Sequence, residues 1–395
     1  MRGWRRALRT VVRSLVVLTS AGALVATGLA WSLQHRVQAA LVTSDAVIPH
    51  EPVVAGQSFT ALLVGLDART DAAGNPLPQA LLDAMHAGPD EGQLHTDTIM
   101  LLHVPGDPSR PPVALSIPRD SFVPIAGDRG THKINSAYGR GVREAQEELG
   151  RQGITGPELD RRARETGRAV LVQTVQNLTG LTIDHFGEIN LAGFLELTDA
   201  LGGVPVCLAQ PARDSYSGLD LPAGPQTVSG PTALAFVRQR HGLDGGDLDR
   251  IGRQQAFIAG LTRQLRASGA LTDPARLDQL VGIVTRYVVL DRGWDVPQLV
   301  TQLRSLHLDQ LTLHTIPTGR PDLETPVDGI AVQIDRSAVR EFATALMSDE
   351  ARTPAAAAQP AAATPTPSPS PTAAPTGSPD PSARVISAEN VPCVA

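Results

Sequence analysis

The stretch FTALLVGLD (59–67) decides the fold, because it is a long apolar run that ends on an aspartate. A run of this kind predicts a strand that is buried in a sheet. Two further runs, DTIMLLHV (97–104) and PPVALSIP (111–118), also predict strands, and the second leads into Arg119. Apolar residues at helical spacing follow in GRAVLVQTVQNLTG (167–180), which closes on a glycine. Strands that alternate with helices predict an α/β layered fold.

The same alternation continues almost to residue 350. Further predicted strands are DHFGEIN (184–190), VPVCL (204–208), LTLHTIP (311–317) and IAVQI (330–334), and further predicted helices are LAGFLELTDALGG (191–203) and RSAVREFATALM (336–347). Two stretches fit the pattern poorly and are interpreted as insertions, one at 72–93 and a helical, highly charged one at 140–166.

The composition excludes some classes of function. The chain of 395 residues has a formal net charge of −6 and only 3% aromatic residues. It lacks both the basic charge and the stacking side chains that nucleic-acid binding uses, so no nucleic-acid partner is expected. The sequence also contains no P-loop, HExxH or GxSxG signature.

The N-terminus predicts a membrane anchor. Residues 1–13 carry five arginines, and residues 14–33 carry no charge. A helix of that length rises about 30 Å, which is enough to span a bilayer once. Arginines before the span put the N-terminus in the cytoplasm and the rest of the chain outside the cell membrane. A cleaved signal peptide is the alternative, although the apolar run is longer than the usual signal core.

The C-terminal part is rich in proline. Nine prolines between Pro354 and Pro381 predict an extended, disordered linker, and the more apolar end is suited to docking back on the domain. The predicted division of the chain is a cytoplasmic basic segment at 1–13, a transmembrane helix at 14–33, a spacer at 34–57, an extracytoplasmic domain at 58–350, a linker at 351–383 and a C-terminal segment at 384–395.

The chain has two cysteines, Cys207 and Cys393. An even number of cysteines in an exported chain permits one disulfide, which would tie the C-terminal segment to the domain. Two reduced thiols and an intermolecular bridge are the open alternatives.

Charged residues stand at the ends of the predicted strands. Asp67 closes the first strand, Asp97 opens the second, and Arg119 and Asp120 follow the third. Ligands of open α/β sheets gather at strand ends. Two aspartates brought together there repel each other unless a divalent cation lies between them, and carboxylate oxygens suit Mg²⁺ or Mn²⁺. The alternative, that each aspartate only caps a turn, stays open on spacing alone.

The stretch FVRQRHGLDGGDLDRIGRQQ (236–255) is rich in arginine. One helix is predicted to start near Ser229 and a second near Asp247. Arg250 and Gln254 are four residues apart, so they share one face of the second helix. Guanidinium groups are the preferred partners of phosphate oxygens. This stretch alone is compatible with a phosphate site and equally with a solvated charged surface.

Taken together, the motifs resemble those of the LytR–CpsA–Psr family over residues 58–266. They follow in the family's order: VGLDAR, TDTIMLLHV, LSIPRDSFVPI, HKINSAYG, LTIDHFGEINLAGFLELTDALGGV, AGPQTVSGPTALAFVRQRH and DLDRIGRQQAFI. Several motifs in one order are more specific than any one of them. The anchor, the insertions and the proline-rich tail fit actinobacterial members. The resemblance implies an α/β/α sandwich with a mixed central sheet and a hydrophobic tunnel for a lipid.

The resemblance also implies roles for individual residues. The metal-binding aspartates of the family match Asp67 and Asp97, for Mg²⁺ or Mn²⁺. Its pyrophosphate-binding positions match Arg119, Arg238, Arg240, Arg250 and Gln254, and Arg69 and Lys133 are further matches in its motifs. Catalytic roles are expected for Asp97, Arg119 and Asp120, with either aspartate as the base.

The function implied by the resemblance is that of a membrane-anchored transferase. Family members move a glycopolymer from a polyprenyl-pyrophosphate carrier onto peptidoglycan, typically onto the 6-hydroxyl of N-acetylmuramic acid, and form a phosphodiester. The implied partners are the lipid-linked glycan, peptidoglycan and the cytoplasmic membrane. Two alternatives use the same residues: a pyrophosphatase acting on the same carrier, and a non-catalytic protein that binds polyprenyl phosphates or regulates the envelope.

Overall fold

The computed structural model describes residues 40–47, 57–87, 92, 94–107, 109–239, 242–243, 247–294, 301–302, 306–347, 385–389 and 391–395. The predicted basic segment, transmembrane helix and linker lie outside these residues, as does most of the predicted spacer. Within the described ranges, no helix combines the length and the apolarity that crossing a membrane requires.

The central element is a mixed sheet. The strands of the described residues are β1 Val42–Ser44, β2 Phe59–Asp67, β3 His95–Val104, β4 Val113–Ser116, β5 Phe122–Pro124, β6 Thr131–Lys133, β7 His185–Asn190, β8 Val204–Leu208, β9 Ala212–Asp214, β10 Leu219–Leu221, β11 Gly224–Val228, β12 Val288–Asp291, β13 Thr312–Thr315, β14 Leu323–Thr325, β15 Gly329–Ala331 and β16 Ile386–Ser387. Eight of them form one sheet in the order β1-β12-β7-β2-β3-β4-β13-β16. β2 lies inside this sheet, parallel to β7 and antiparallel to β3, so the predicted mixed sheet is confirmed.

Helices cover both faces of this sheet. Those with bounds in the described residues are α1 Gln79–Ala84, α2 Ala137–Arg151, α3 Gly156–Thr179, α4 Leu191–Ala200, α5 Gly230–Arg238, α6 Asp247–Ala267, α7 Pro274–Tyr287 and α8 Arg336–Met347. On one face, Leu62 of β2 belongs to a core cluster with residues of α2, α3 and α8. On the other face, Met100 of β3 packs with Phe236 of α5 and Phe257 of α6. Alternate residues of a strand point to opposite faces of the sheet. The uninterrupted apolar run of β2 therefore places apolar side chains on both faces, and helices bury them on each side.

Most predicted elements occur at or near their predicted bounds. β2 and α8 coincide with the predicted 59–67 and 336–347. α3 stops before Gly180, whose φ of +74° needs glycine, but it begins at Gly156, inside the predicted insertion at 140–166. That stretch is therefore the end of α2 and the start of α3. The predicted strand at 330–334 is shorter than expected: β15 pairs with β14 outside the main sheet, and Val332 after it forms a single parallel bridge to Ser121.

Both ends of the described chain add strands to the sheet. β1, inside the predicted spacer, pairs in parallel with β12 at one edge. β16, in the C-terminal segment, pairs antiparallel with β13 at the other edge. A disulfide joins Cys207 of β8 to Cys393, and the N–H of Val394 donates to the carbonyl of Cys207 at 2.9 Å. Of the alternatives for the two cysteines, the structure contains the intramolecular bond.

A buried ion pair ties α3 to the sheet. Nε and Nη2 of Arg168 donate to the two carboxylate oxygens of Glu188 on β7, at 2.9 and 3.1 Å. Both side chains are 6% exposed. An unpaired charge is strongly disfavoured in such a buried site, so the charged form of each side chain depends on the opposite charge of the other.

The substitution Arg168→Met is expected to lower the free energy of unfolding by about 3–5 kcal/mol, because it leaves the Glu188 carboxylate buried without its partner. Denaturant unfolding followed by circular dichroism measures the change. The double variant Arg168→Met/Glu188→Leu removes both charges and is expected to recover part of the loss. A single variant as stable as the parent protein would contradict this account.

Candidate active site

The register of β2 and β3 brings two aspartates to one end of the sheet. The strands are antiparallel, so the end of β2 lies beside the start of β3, with Asp67 opposite His95. The pairing skips Asp97, which is the extra residue of a bulge opposite Gly65 and Leu66. Bulges redirect side chains and are frequent beside active sites. Asp67 and Asp97 consequently line the same cavities.

Three arginines surround these carboxylates. Oδ1 of Asp67 lies 3.1 Å from Nη1 of Arg69, and its Oδ2 lies 3.8 Å from Nη2 of Arg238. Nη1 of Arg119 donates to Oδ1 of Asp97. The five side chains are between 11% and 24% exposed. At this depth the attraction between opposite charges is stronger than in bulk water.

Asp120 and Lys133 lie behind Arg119. Oδ1 of Asp120 is 3.5 Å from Nε of Arg119 and 3.5 Å from Nζ of Lys133. Asp120 is buried, and its carbonyl accepts a hydrogen bond from the N–H of Val332 at 2.8 Å. This arrangement suits Asp120 to fixing the orientation of Arg119.

Helix α5 ends on Arg238. It begins as predicted, with Ser229 as the N-cap and a proline in the first turn. It stops at Arg238 because Gln239 adopts an extended backbone with ψ of 135°. The guanidinium of Arg238 therefore projects from the last helical residue toward Asp67.

Helix α6 carries two of the predicted phosphate ligands. It begins at Asp247, as predicted. Arg250 and Gln254 both line one of the cavities that Asp67 and Asp97 also line. Arg250 is only 2% exposed. Nε2 of Gln254 lies 3.4 Å from the carbonyl of Val237, which links α6 to the end of α5.

Arg253, on the same helix, makes different contacts from Arg250 and Gln254. It is 1% exposed, and its guanidinium lies 5.3 Å from the ring centroid of Phe236. It donates to the side chain of Gln239 and to the backbone oxygen of Ala395. Arg253 thus holds α6 to α5 and to the docked C-terminal segment. Arg240, the remaining predicted ligand, lies outside the described residues.

The insertion at 72–93 contributes carbonyl groups to two of the arginines. The carbonyl of Met85 accepts from Nη1 of Arg238 at 3.3 Å, and the carbonyl of Ala87 accepts from Nη2 of Arg69. Apolar residues of the insertion pack in one cluster with residues of α4 and α5. The insertion is therefore part of the framework that orients the cationic side chains.

Two cavities meet at this charged cluster. The polar cavity, of about 240 Å³, is lined by Asp67, His95, Asp97, Arg119, Asp214, Tyr216, Ser217 and Arg238. The apolar cavity, of about 340 Å³, lies between the sheet and helices α4, α5 and α6. Asp67, Asp97 and Arg238 line both, so the charged cluster forms their common boundary. A third and larger cavity, of about 1090 Å³, contains none of the predicted site residues.

Glycines in the sheet leave room for the apolar cavity. Gly65 of β2 and Gly187 of β7 both line it. A Cβ at Gly187 would lie 3.2 Å from the ring of Trp294 and 3.3 Å from Leu63, so a side chain there would intrude. The apolar character of this lining is what the predicted lipid tunnel would require. The tunnel itself stays a prediction.

Four residues of the polar cavity were not predicted from the sequence: His95, Asp214, Tyr216 and Ser217. His95 carried a usable signal, because it lies two residues before Asp97 on a strand and such residues share a face. The other three lie at or beside the turn between β9 and β10, and no spacing rule relates that turn to β2 or β3.

Burial and the neighbouring carboxylate raise the pKa of Asp67 above the ordinary value for aspartate. Burial is the larger cause and the charge of Asp97 the next, while Arg69 and Arg238 act in the opposite direction. The pKa of His95 is lowered by burial and then by Arg119. Both causes disfavour the protonated imidazole, while the nearby carboxylates of Asp97 and Asp67 favour it.

The carboxylate pair is the part of the site that suits a metal ion. Among the residues the structure describes, no group of three or more His, Cys, Asp and Glu side chains is arranged to hold one. Mg²⁺ commonly binds through one or two carboxylates together with waters and substrate phosphates. Asp67 and Asp97, whose mutual repulsion a divalent cation would relieve, fit that mode of binding.

Comparisons with known sequences point to one family. Residues 33–348 match the model described as the LytR_cpsA_psr family. The chain is 45% identical over 282 residues to the cell wall biosynthesis protein LcpA of Corynebacterium glutamicum, covering 71% of this chain and 54% of that protein. It is 33% identical over 187 residues to the polyisoprenyl-teichoic acid–peptidoglycan teichoic acid transferase TagU of Oceanobacillus iheyensis, covering 47% and 51%. The chain thus spans about half the length of these curated relatives.

A solved structure shares the fold. The LytR-Csp2A-Psr enzyme from Actinomyces oris matches with a TM-score of 0.50 and 22% identity, covering 77% of this chain and 95% of that one. At this level of identity the likeness concerns the fold alone, and it agrees with the mixed α/β sheet described above.

The substitution Asp97→Asn is expected to lower the pKa of Asp67, because it removes the negative charge that helps to raise it. The substitution Arg69→Gln is expected to raise the pKa further, because it removes a favourable cation. Carboxyl ¹³C NMR in metal-free buffer measures both shifts. An Asp67 pKa that stays the same in Asp97→Asn would mean that the two carboxylates do not interact.

Proposed function

Because the chain belongs to the LytR–CpsA–Psr family, we propose that it is a phosphotransferase of the cell envelope. It moves a glycopolymer from a polyprenyl-pyrophosphate carrier onto peptidoglycan, at the 6-hydroxyl of N-acetylmuramic acid, and forms a phosphodiester. The observation that carries the proposal is the meeting of an apolar cavity and an arginine-rich polar cavity at Asp67, Asp97 and Arg238. That pairing matches an amphiphile with a long apolar chain and a charged head.

The apolar cavity suits the polyprenyl chain. Leucine, isoleucine and phenylalanine side chains from α4 and α6 face it, and Trp294 lines it as well. Each buried CH₂ of a lipid would contribute about 0.8 kcal/mol to binding. The cavity therefore offers binding free energy that does not depend on the glycan carried.

The arginines suit the pyrophosphate. Arg238 lines both cavities, Arg250 lines the apolar cavity and Arg119 lines the polar one, so cations are present on both sides of the boundary. Guanidinium groups bind phosphate oxygens with two parallel hydrogen bonds. Charges that are already oriented stabilise the charge that develops during phosphoryl transfer.

In the proposed reaction, the acceptor hydroxyl attacks the phosphorus on the glycan side. A bond forms between the acceptor oxygen and that phosphorus, the bond from this phosphorus to the bridging oxygen breaks, and polyprenyl phosphate leaves. The hydroxyl proton passes to a carboxylate. Asp97 is the better candidate for this base, because it lines both cavities whereas Asp120 lines neither. Asp120 acts instead as a positioning residue for Arg119.

Asp67 and Asp97 are the proposed ligands of Mg²⁺, and Mn²⁺ would suit the same oxygens. When bound, the ion would neutralise charge on the phosphate oxygens. The arginines that pair with the two carboxylates in the structure, Arg69 and Arg119, would then be available to the substrate.

The proposed location is the outer side of the cell membrane. The disulfide between Cys207 and Cys393 supports an oxidising, extracytoplasmic compartment. The uncharged stretch at 14–33 supports a single-pass anchor with its N-terminus in the cytoplasm.

The substitution Arg238→Ala is expected to reduce transfer by about 100-fold or more, because it removes a cation at the reacting phosphate. The assay is a reconstituted transfer from lipid-linked glycan to a peptidoglycan fragment, with the product identified by mass spectrometry. Arg263→Ala, which replaces an exposed arginine of α6, is the matched control and should keep full activity.

Full transfer by a folded Arg238→Ala protein would overturn the proposed function. Glycan phosphate that is released without a bond to the acceptor would identify the parent protein as a hydrolase.

The substitution Asp97→Asn is expected to weaken Mg²⁺ binding, measured by calorimetry with inorganic pyrophosphate present. The exposed Asp322→Asn is the control. In the parent protein, the affinity should fall with decreasing pH as Asp67 takes up a proton. Because the pKa of Asp67 is raised, this fall begins at a higher pH than for an ordinary aspartate. Unchanged affinity in Asp97→Asn would exclude it as a ligand.

A further inference from the structure

The mouth of the polar cavity carries a short hairpin, residues 212–221, made of β9, a turn and β10. Asp214, Tyr216 and Ser217 of this mouth hairpin line the polar cavity with Asp67 and Arg238. The hairpin was not part of the predicted site, and the reaction proposed above gives it no role.

The turn of the mouth hairpin is held in one conformation. Asp214 is buried, and its carboxylate accepts hydrogen bonds from the N–H of Tyr216 and from Oγ of Ser217, both at 3.0 Å. Leu219, after the turn, is buried in the core cluster with α5 and α6. A turn anchored on both sides presents the side chain at its tip in a fixed place.

The insertion at 72–93 braces the same turn. A Cβ at Gly218 would lie 2.8 Å from the ring of His86, and the φ of Gly218 is +77°. Only glycine permits both this backbone and this close approach. The residue before His86, Met85, holds Arg238 through its carbonyl. One loop therefore fixes both the hairpin tip and a phosphate-binding arginine.

Tyr216 at the tip is 75% exposed. The other two tyrosines of the chain, Tyr138 and Tyr287, are 0% and 3% exposed. A chain with 3% aromatic residues thus exposes a large aromatic side chain at the opening of its charged cavity. Exposed tyrosines are typical of binding surfaces, because the ring offers a rigid contact area and loses little conformational entropy.

We propose that Tyr216 is a stacking platform for the pyranose ring nearest the reacting phosphate, an inference that rests on the proposed function. A lipid chain in the apolar cavity leaves the polar cavity as the exit for the sugar on the other end of the pyrophosphate. The acceptor sugar has to reach the phosphorus through the same opening. The C–H groups on one face of a pyranose are apolar and match the electron-rich face of an aromatic ring.

The test compares two lipid probes and three variants. The probes are a polyprenyl pyrophosphate without sugar and the same lipid with one N-acetylhexosamine, both in detergent micelles. The variants are Tyr216→Ala, Tyr216→Phe, which keeps the ring, and Val327→Ala, a matched control in a turn where the side chain is 77% exposed. Affinities are measured by calorimetry, and the KM for the acceptor glycan is measured in the transfer assay.

Tyr216→Ala is expected to weaken binding of the sugar-bearing lipid about 3- to 10-fold while leaving the sugar-free lipid unaffected. Tyr216→Phe and Val327→Ala should behave like the parent protein. If the KM for the acceptor rises instead, with lipid affinities unchanged, the stacked ring belongs to the acceptor, and the platform is equally supported.

The platform is overturned if Tyr216→Ala changes neither the affinity for the sugar-bearing lipid nor the acceptor KM. It is also overturned if Tyr216→Ala weakens the binding of both lipids equally, because Tyr216 would then contribute to binding without contacting a sugar. Failure of the proposed function is distinguishable from these outcomes, because it is seen as full transfer by the folded Arg238→Ala protein or as release of glycan phosphate by the parent protein, and neither readout involves a Tyr216 variant.

Discussion

The repulsion between Asp67 and Asp97 is the constraint around which the site is arranged. The antiparallel register of β2 and β3 fixes both carboxylates at one end of the sheet, and the bulge at Asp97 turns its side chain into the same space. Two half-buried like charges are stabilised there by opposite charges beside them. Arg69 and Arg119 supply these from neighbouring loops.

The same constraint explains why elements far apart in the chain converge. Arg238 comes from the end of α5, and its carbonyl partner Met85 comes from the insertion at 72–93. Arg253, inside α6, ties this helix to Gln239 and to the docked C-terminal segment. The helix that carries Arg250 and Gln254 is thereby fixed at its first turns. Contacts from several elements of the layer that faces the apolar cavity therefore fix the orientation of the arginine side chains.

The sequence predicts the part of this site that depends on local patterns. The bounds of β2, the helix start near Ser229 and the family motifs identify Asp67, Asp97 and Arg238 without coordinates. Features that depend on tertiary contacts were out of reach. The bulge at Asp97 lies among the polar residues 95–98, where there is no hydrophobic alternation for it to interrupt. The carbonyl groups of the insertion belong to the backbone, so residue identity does not reveal them. The β9–β10 turn lies at the cavity because of its tertiary contacts with other elements, which local sequence patterns do not reveal.

The bond between Cys207 and Cys393 spans 186 positions and closes the chain between them into a covalent ring. The proline-rich stretch at 351–383 is therefore a segment of that ring and has both ends attached to the protein. A single proteolytic cut within it would open the ring and leave the two pieces joined through sulfur. Cleavage there converts one polypeptide into a two-chain protein, in which β16 keeps its covalent link to the domain.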